Sequence, residues 1–338
     1  MPVPSPGQYD VHINGLMTEM SLGWPQLHDS FVADRTFQVI SSKHRSDNYL
    51  RIPPGEWNRN QMQERAPATE SAGSNYKIDT TPTFYCRRFS LHHDIPDEID
   101  NDKDDPIDLD LQANYFLTSQ ALINREVAWV NAYFKTGVWT AFDLDGVSSA
   151  GSVDATHFLQ YNQTDSDFLA VIRRYITDCS EKYGRRLNCM TMGQRVWDVV
   201  IDHPDLVGRI DRGQTQGVAG APKVIRDALA MLLEIQEVNV MSGIVNNAIP
   251  GAADSQAFIG GKHLLLSYKP PVPGRLTPAS GYTFVWQGDD LQNNERGWAL
   301  YDLPYEARRK CRSMEIESFY DLKQVEAGFG VFFENAVS

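Results

Sequence analysis

The sequence predicts an α+β fold of two domains, one of them interrupted by the other. Three observations lead there. Apolar residues recur at three- and four-residue spacing through one long stretch, 105–134, the pattern of a helix with a buried face. Helix-like and strand-like segments alternate from Asp165 to about Lys269 and Pro270, the pattern of a compact α/β unit. Strand-like runs flank these regions, Phe84–Leu91 before them and Tyr282–Trp286, Met314–Phe319 and Phe329–Phe333 after them. The chain therefore leaves one domain, builds a second and returns.

The first ~80 residues carry Pro2, Pro4, Pro6, Pro25, Pro53, Pro54 and Pro67 and few sustained periodic runs. Apolar anchors punctuate them: Leu16, Met17, Met20, Leu22 and Trp24, then Phe31, Phe37, Val39, Ile40, Tyr49, Leu50 and Ile52. Such a segment has little core of its own and is expected to bury its anchors on a neighbour. Thr36–Ile40 alternates as a strand, and Tyr49–Ile52 is expected to return antiparallel to it, with Ser46-Asp47-Asn48 near the turn. Together they predict a projecting hairpin extending to about Ile78, with Arg65–Gly73 as its polar, mobile part.

The long helix is the strongest local signal. Asp105 suits its cap and Pro106 its first turn. Leu109, Ala113, Phe116, Ile123, Val127, Val130 and Phe134 form the expected stripe, interrupted by Gln120. Asp105, Asp108 and Asp110 lie where the helix dipole favours acids, and Gly137 is the expected stop. A helix of about 29 residues spans ~43 Å and acts as a beam. In the α/β unit, Thr164 or Asp165 is expected to cap a helix through Phe168, Val171, Ile172, Ile176 and Cys179, ended by Gly184. Leu187–Thr191 reads as a strand, Gln194–Ile201 as a helix, and Gly213–Gly220 as a loop. Pro222 starts a helix over Lys223–Glu234, and Val238–Met241, Phe258–Ile259 and Leu264–Tyr268 read as strands. The last strands are expected to pair with Phe84–Leu91 and pack on the long helix.

At 338 residues and net charge −13, the chain is unsuited to be a dedicated reader of nucleic acid, although acidity does not forbid passive contact. No run approaches the ~18 apolar residues of a membrane span. The segment Met1–Gly7 lacks the basic and apolar regions of a secretion signal, so a soluble product, intracellular at synthesis, is expected. Cys86, Cys179, Cys189 and Cys311 form no CxxC pair and read as free thiols in a core.

The chemical motifs are thin. His92-His93-Asp94, near Asp97 and Glu98, is the best metal candidate, but adjacent histidines on a strand point to opposite faces, and the run reads as a strand end entering an acidic loop. His203-Pro204-Asp205 also marks the J-domain co-chaperones, which need a basic helix before it. Here that helix carries Asp198 and Asp202 with only Arg195 basic, so the tripeptide reads as a turn between helices. Gly260-Gly261-Lys262-His263 faintly matches a phosphate loop, but Gln256 stands at its first glycine and His263 at its Ser/Thr, so a glycine hairpin turn is the reading. No GxSxG occurs. Asp102, Asp104 and Asp105 read as a solvated face and a helix cap. Trp129, Trp139, Trp197, Trp286 and Trp298 read as core or interface anchors. No catalytic, cofactor or metal residue is assigned, and a structural role is expected over an enzymatic one.

Several stretches in order resemble the major capsid proteins of tailed bacteriophages, of the group that includes the phage lambda capsid protein. They are Arg65-Ala66-Pro67, Gly73–Ile78, Tyr85-Cys86, Leu91–Glu98, Asp105–Asp110, Glu126–Trp129, Phe134–Trp139, Val196–Asp198 with His203-Pro204, Phe258–His263 and Pro278–Trp286. The resemblance covers roughly the last four-fifths of the chain. It implies the Hong Kong ninety-seven-type capsid fold, with an N-terminal arm, an extended β-hairpin loop, a peripheral domain with a long spine helix, and an axial α/β domain. The corresponding parts here are an arm at 1–33, an extended loop at 34–79, a peripheral domain at 80–149 with its spine at Asp105–Phe134, an axial domain at 150–270, and closing peripheral strands at 271–338.

The resemblance further implies hexamers and pentamers in an icosahedral or prolate head around double-stranded DNA, which would touch the inner face without sequence specificity. It also implies a portal protein, a scaffold protein during assembly, and in some relatives a decoration or cement protein. No membrane partner is expected. The location implied is the virion, made and assembled in the bacterial host cytoplasm. The chain enters its arm at once, so a separate scaffold is expected. Lys43 and Lys77 in the loop show no readable Lys–Asn pairing, so no covalent crosslink is expected. Two other readings remain: an encapsulin-like nanocompartment shell, which shares the fold, and a metal-dependent hydrolase using His92, His93 and Asp94.

Overall fold

A computed structural model of the chain describes residues 26, 28–51, 55, 58–103, 108–213, 226–288 and 297–338. Elements begin with a helical turn α1 (Ala33–Thr36), strand β1 (Gln38–Ser42), short strands β2 (Ser46–Asn48) and β3 (Thr83–Tyr85), and β4 (Arg87–Pro96). The turn α2 (Asp97–Asn101) and the long helix α3 (Leu109–Tyr133) come next. After β5 (Phe142–Val147) and β6 (His157–Leu159) come α4 (Phe168–Tyr183), β7 (Cys189–Gly193), α5 (Gln194–Ile201), α6 (Pro204–Gly213) and α7 (Arg226–Leu233). The remaining strands are β8 (Glu237–Met241), β9 (Ile244–Asn246), β10 (Gln256–Phe258), β11 (Leu264–Ser267), β12 (Gly281–Trp286), β13 (Trp298–Glu306), β14 (Cys311–Gln324) and β15 (Gly330–Glu334).

Two sheets organise these elements. In the five-stranded sheet, β14 pairs antiparallel with β4, β13 and β12, and β1 lies parallel to β12 with Gln38 opposite Tyr282. In the six-stranded sheet the order is β6-β5-β15-β11-β7-β8. The sequence reading is corrected at two points. Gln38–Ser42 does not pair with the segment after Ser46; its partner is β12, and β2 pairs instead with β3. Met314–Phe319 does pair with Phe84–Leu91 residues, Ile316 facing Leu91, but Gly330–Glu334 joins β5 and β11 in the other sheet. In both cases apolar alternation identified a strand but not its partner, which lies far along the chain.

Helix α3 has 25 residues and so runs ~37 Å. Its cap is Asp108, which accepts from the backbone N–H of Asp110 and Leu111 at 3.0 and 3.1 Å. Asp105 and Pro106, expected at this end, lie outside the described residues. Phe134 closes the other end, and Gly137 beyond it takes φ +78. The buried face matches the expected stripe in part: Ala113 and Phe134 are buried, and Ile123, Val127 and Val130 are half-buried against the core. Ala113, Leu117, Leu122, Arg125, Glu126 and Trp129 are buried, whereas Phe116 is 46 % exposed. Helix α4 ends at Gly184, whose φ of +71 is the left-handed cap expected, while its N-cap position is taken by Asp167 rather than Thr164 or Asp165.

The period-2 alternation of strands splits the interior into two large cores. From the six-stranded sheet, Met190, Met192, Leu264, Leu266, Val331 and Phe333 face α4 and its helical neighbours. Leu265 and Phe332 face the opposite way, toward Trp129 and Phe134 of the α3 end and Phe37. Phe332 meets Phe134 edge to face at 5.4 Å. A third, smaller core under the five-stranded sheet gathers Tyr49, Phe84, Tyr282, Phe284 and Phe319, with Phe84 stacked on Phe284 at 4.2 Å.

Candidate functional site

The motifs that looked chemical are structural in their surroundings. On β4, His93 turns toward the Phe116 ring, 5.7 Å away, while His92 lies on the other face, 3.9 Å from Asp94. The Asp94 carboxylate accepts from Ser313 Oγ at 2.7 Å and pairs with Arg309, and these contacts hold it below the usual carboxylate range. A carboxylate committed to a guanidinium is a poor ligand. Among the described residues, no group of three or more His, Cys, Asp or Glu side chains is placed to hold a metal.

His203 and Ser166 imitate a nucleophile and its base. Ser166 Oγ is 2.9 Å from His203 Nε2, and Asp205 Oδ2 is 3.7 Å from Nδ1. The proton polarity is reversed, however. The Asp205 backbone N–H donates to Nδ1 at 3.3 Å, which leaves the ring proton on Nε2, donating toward Ser166. The Ser166 hydroxyl itself donates to Gln163 O at 2.7 Å. Both residues are buried, and burial pushes the imidazole pKa down. The pair ties the turn before α4 to the start of α6 and has no free base to offer.

The glycine run after β10 closes on backbone rather than opening to an anion. A Cβ on Gly193 would sit 2.4 Å from the Gly261 carbonyl oxygen and 2.7 Å from that of Gly260. Carbonyl oxygens repel phosphate, and the space is full. Gly193→Ala is expected to lower stability by about 1–3 kcal/mol through overpacking, read as a lower midpoint in denaturant. The four cysteines are buried and free, and burial pushes the Cys86 and Cys179 thiols up to about 12 and Cys189 to about 11, far from nucleophile range.

What remains is surface. Between β2 and β3 the chain makes a long excursion, closed at its base by Tyr49 N–H donating to Pro82 O and by Arg51 and Asp79 exchanging backbone hydrogen bonds. The Arg51 guanidinium also pairs with Glu326 at 2.9 Å. Beyond that base the described residues contribute nothing to the three cores, and Met62 is 93 % exposed, with Tyr76 and Ile78 also exposed. A second apolar surface lies where β4, paired only with β14 among the described ladders, faces α3. Phe89, Leu91, Gln120, Ala121, Asn124 and Ile316 line a groove of about 220 Å³ there. Leu111, Tyr115 and Phe116 extend the apolar exposure along the helix. Surfaces like these suit contact with other chains.

The sequence located the excursion but not the exposed apolar face of β4, which reads locally as an ordinary strand. It also expected Phe31 and Phe37 to be left for a neighbour. They are instead buried in their own chain, with Val32 and Ala33, against α3. The anchors Leu16, Met17, Met20, Leu22 and Trp24 lie outside the described residues.

No family model and no curated protein sequence matches the chain. Solved structures do. A phage-related protein from Bordetella bronchiseptica RB50 superposes with a TM-score of 0.66 at 16 % identity, over 96 % of this chain and 97 % of that one. The capsid of cyanophage P-SCSP1u gives 0.56 at 10 % identity, over 88 % and 86 %. The holo-SrpI encapsulin complex from Synechococcus elongatus PCC 7942 gives 0.50 at 8 % identity, over 92 % and 90 %. The fold is that of shell-forming proteins. More particularly, it is the Hong Kong ninety-seven-type α+β fold of phage capsids, as the resemblance in sequence implied.

Proposed function

We propose that this chain is the major capsid protein of a tailed bacteriophage, assembling as hexamers and pentamers into an icosahedral or prolate head around double-stranded DNA. The observation that carries the reading is the phage-capsid fold over nearly the whole chain, and the coreless excursion between β2 and β3 agrees with it. The role is structural, not enzymatic: the fold is a shell fold, and the groups resembling catalytic ones are committed to packing. The proposed partners are further copies of the chain, a portal protein, a scaffold protein, a decoration or cement protein, and DNA held without sequence specificity. Assembly is placed in the bacterial host cytoplasm and the product in the virion. The division into arm (1–33), extended loop (34–79), peripheral parts (80–149 and 271–338) and axial domain (150–270) is proposed for the same subunit, with β5 and β15 completing the axial sheet.

Expression with the scaffold protein of the same phage, followed by negative-stain microscopy, should show discrete closed shells; only soluble monomers under these conditions would defeat the proposal. Removing residues 1–30 stops short of the buried Phe31, so the subunit should still fold, yet shell yield should fall at least tenfold. Denaturing gels of mature particles should show a single band rather than a ladder, because no crosslink is proposed. The encapsulin likeness supports a second reading, a nanocompartment shell. Recombinant particles filled with one enzyme would favour it, and DNA-filled heads would favour the phage.

A further inference from the structure

The middle of α3 holds an unusual set of buried charges. Glu126 is 1 % exposed and Arg125 2 % exposed, on a helix face where the rest of the buried residues are apolar. Glu126 reaches the segment leading into α1. The Val32 backbone N–H donates to Oε1 at 3.0 Å and to Oε2 at 3.1 Å, and the Ala33 N–H donates to Oε2 at 2.7 Å. Oε2 alone can therefore satisfy both donors, leaving Oε1 free to carry a proton.

Among the described residues, the charges facing this carboxyl do not balance it. From α1, Asp34 adds a second carboxylate, which pairs with Arg125 at 2.7 Å through Oδ2, while its Oδ1 is buried without a hydrogen-bond partner. Arg35, also on α1, pairs with the exposed Asp29 instead. From α3 itself, Arg125 is committed to Asp34 and lies over the rings of Trp298 and Tyr320, each 4.9 Å away. The five-stranded sheet presents Ser318 to Arg125, and its Tyr320 hydroxyl is taken by Asn124. From the six-stranded sheet, Thr191 bonds Thr36 at 2.8 Å, and His263 lies against Phe134 and Phe332. The guanidinium thus goes to Asp34, while Glu126 is held by backbone amides.

We propose that Glu126 is a pH-sensitive latch, holding the segment around Val32 and Ala33 on the long helix while protonated and loosening it on ionisation. The device is independent of which kind of shell the chain forms. Burial, then the neighbouring Asp34, raises the carboxyl from its ordinary 4.5 to about 7, against the pull of the two backbone donors. If the segment lifts and water reaches the group, the ordinary value returns. The closed arrangement then binds the proton more tightly than the open one. Its advantage is fully present below about pH 4.5 and is lost as pH rises through about 7. A difference of roughly 2.5 units makes the opening equilibrium about 300-fold larger on the alkaline side.

Hydrogen exchange at the Val32 and Ala33 amides of the full chain, corrected for intrinsic rates, tests this between pH 5 and 8.5. Protection there should fall by up to about 300-fold with rising pH, while the β11 ladder amides Leu264–Ser267 do not follow it. In Glu126→Gln the dependence should vanish. In Asp34→Asn, which removes a neighbouring negative charge, the midpoint should move to lower pH; this variant also serves if the glutamine form does not fold. Protection that is independent of pH in the native chain would overturn the proposal. So would an equal fall in Glu126→Gln, or a midpoint unmoved in Asp34→Asn.

Discussion

Phe332→Ala is expected to cost about 3–5 kcal/mol of folding stability, the range for deleting a fully buried phenylalanine. The residue is 0 % exposed and sits where the six-stranded sheet meets the end of the long helix. Its ring contacts Phe134 edge to face and lies 5.5 Å from the His263 ring. Its chain neighbours Val331 and Phe333 point into the other core, so neither can swing in to fill the void. A lower denaturant midpoint should be accompanied by faster hydrogen exchange at the C-terminal turns of α3. A loss below 1 kcal/mol would mean that the joint between helix and sheet can collapse around the hole.

Arg125→Ala should be comparably severe, at about 3–5 kcal/mol. The substitution empties a fully buried site and leaves Asp34, whose side chain is 31 % exposed, without its cation near the buried Glu126. It also removes a cation lying over Trp298 and Tyr320, contacts worth ~0.5–2 kcal/mol each when desolvated. Arg125→Lys should recover only part of the loss, because an ammonium cannot both stack between the rings and present a planar fork to the carboxylate. Unfolding in denaturant, compared across Arg125→Ala, Arg125→Lys and Asp34→Asn, separates the charge from the stacking. Full recovery by lysine would show that the guanidinium geometry is immaterial.

Legibility in the sequence followed the range over which each element is determined. Helix α3, helix α5 and strand β12 were readable because local spacing and nearby stop signals decide them. The face that α3 buries was readable only in part. A helix covered on two sides needs apolar residues around much of its circumference, so a single stripe through Phe116 is a weak guide. The core positions Arg125 and Glu126 carry charge, and binary patterning assigns charge to solvent. Their sequence signals are an Arg-Glu pair inside an apolar run and, for Glu126, its place in the resembling stretch Glu126–Trp129. The partner of β1, some 240 residues onward at β12, and the partners of β15 are decided by packing among distant segments. The strands β5, β9 and β13 went unread because they are short or mixed in polarity. The capsid fold became legible through an ordered set of short resemblances, none of them decisive alone.

The strand β14 has a consequence for biosynthesis. Its fourteen residues pair with β4, β12 and β13, and β15 follows within a few residues to join β5 to β11. Neither sheet can close until residues 311–334 have left the ribosome. Until then β4, with its exposed phenylalanine and leucine, waits unpaired, and the edges of β5 and β11 that β15 bridges stay open, the condition in which nascent chains are most open to aggregation. Translation products that stop before this stretch lack the strand that joins the sheet, so they cannot complete the fold.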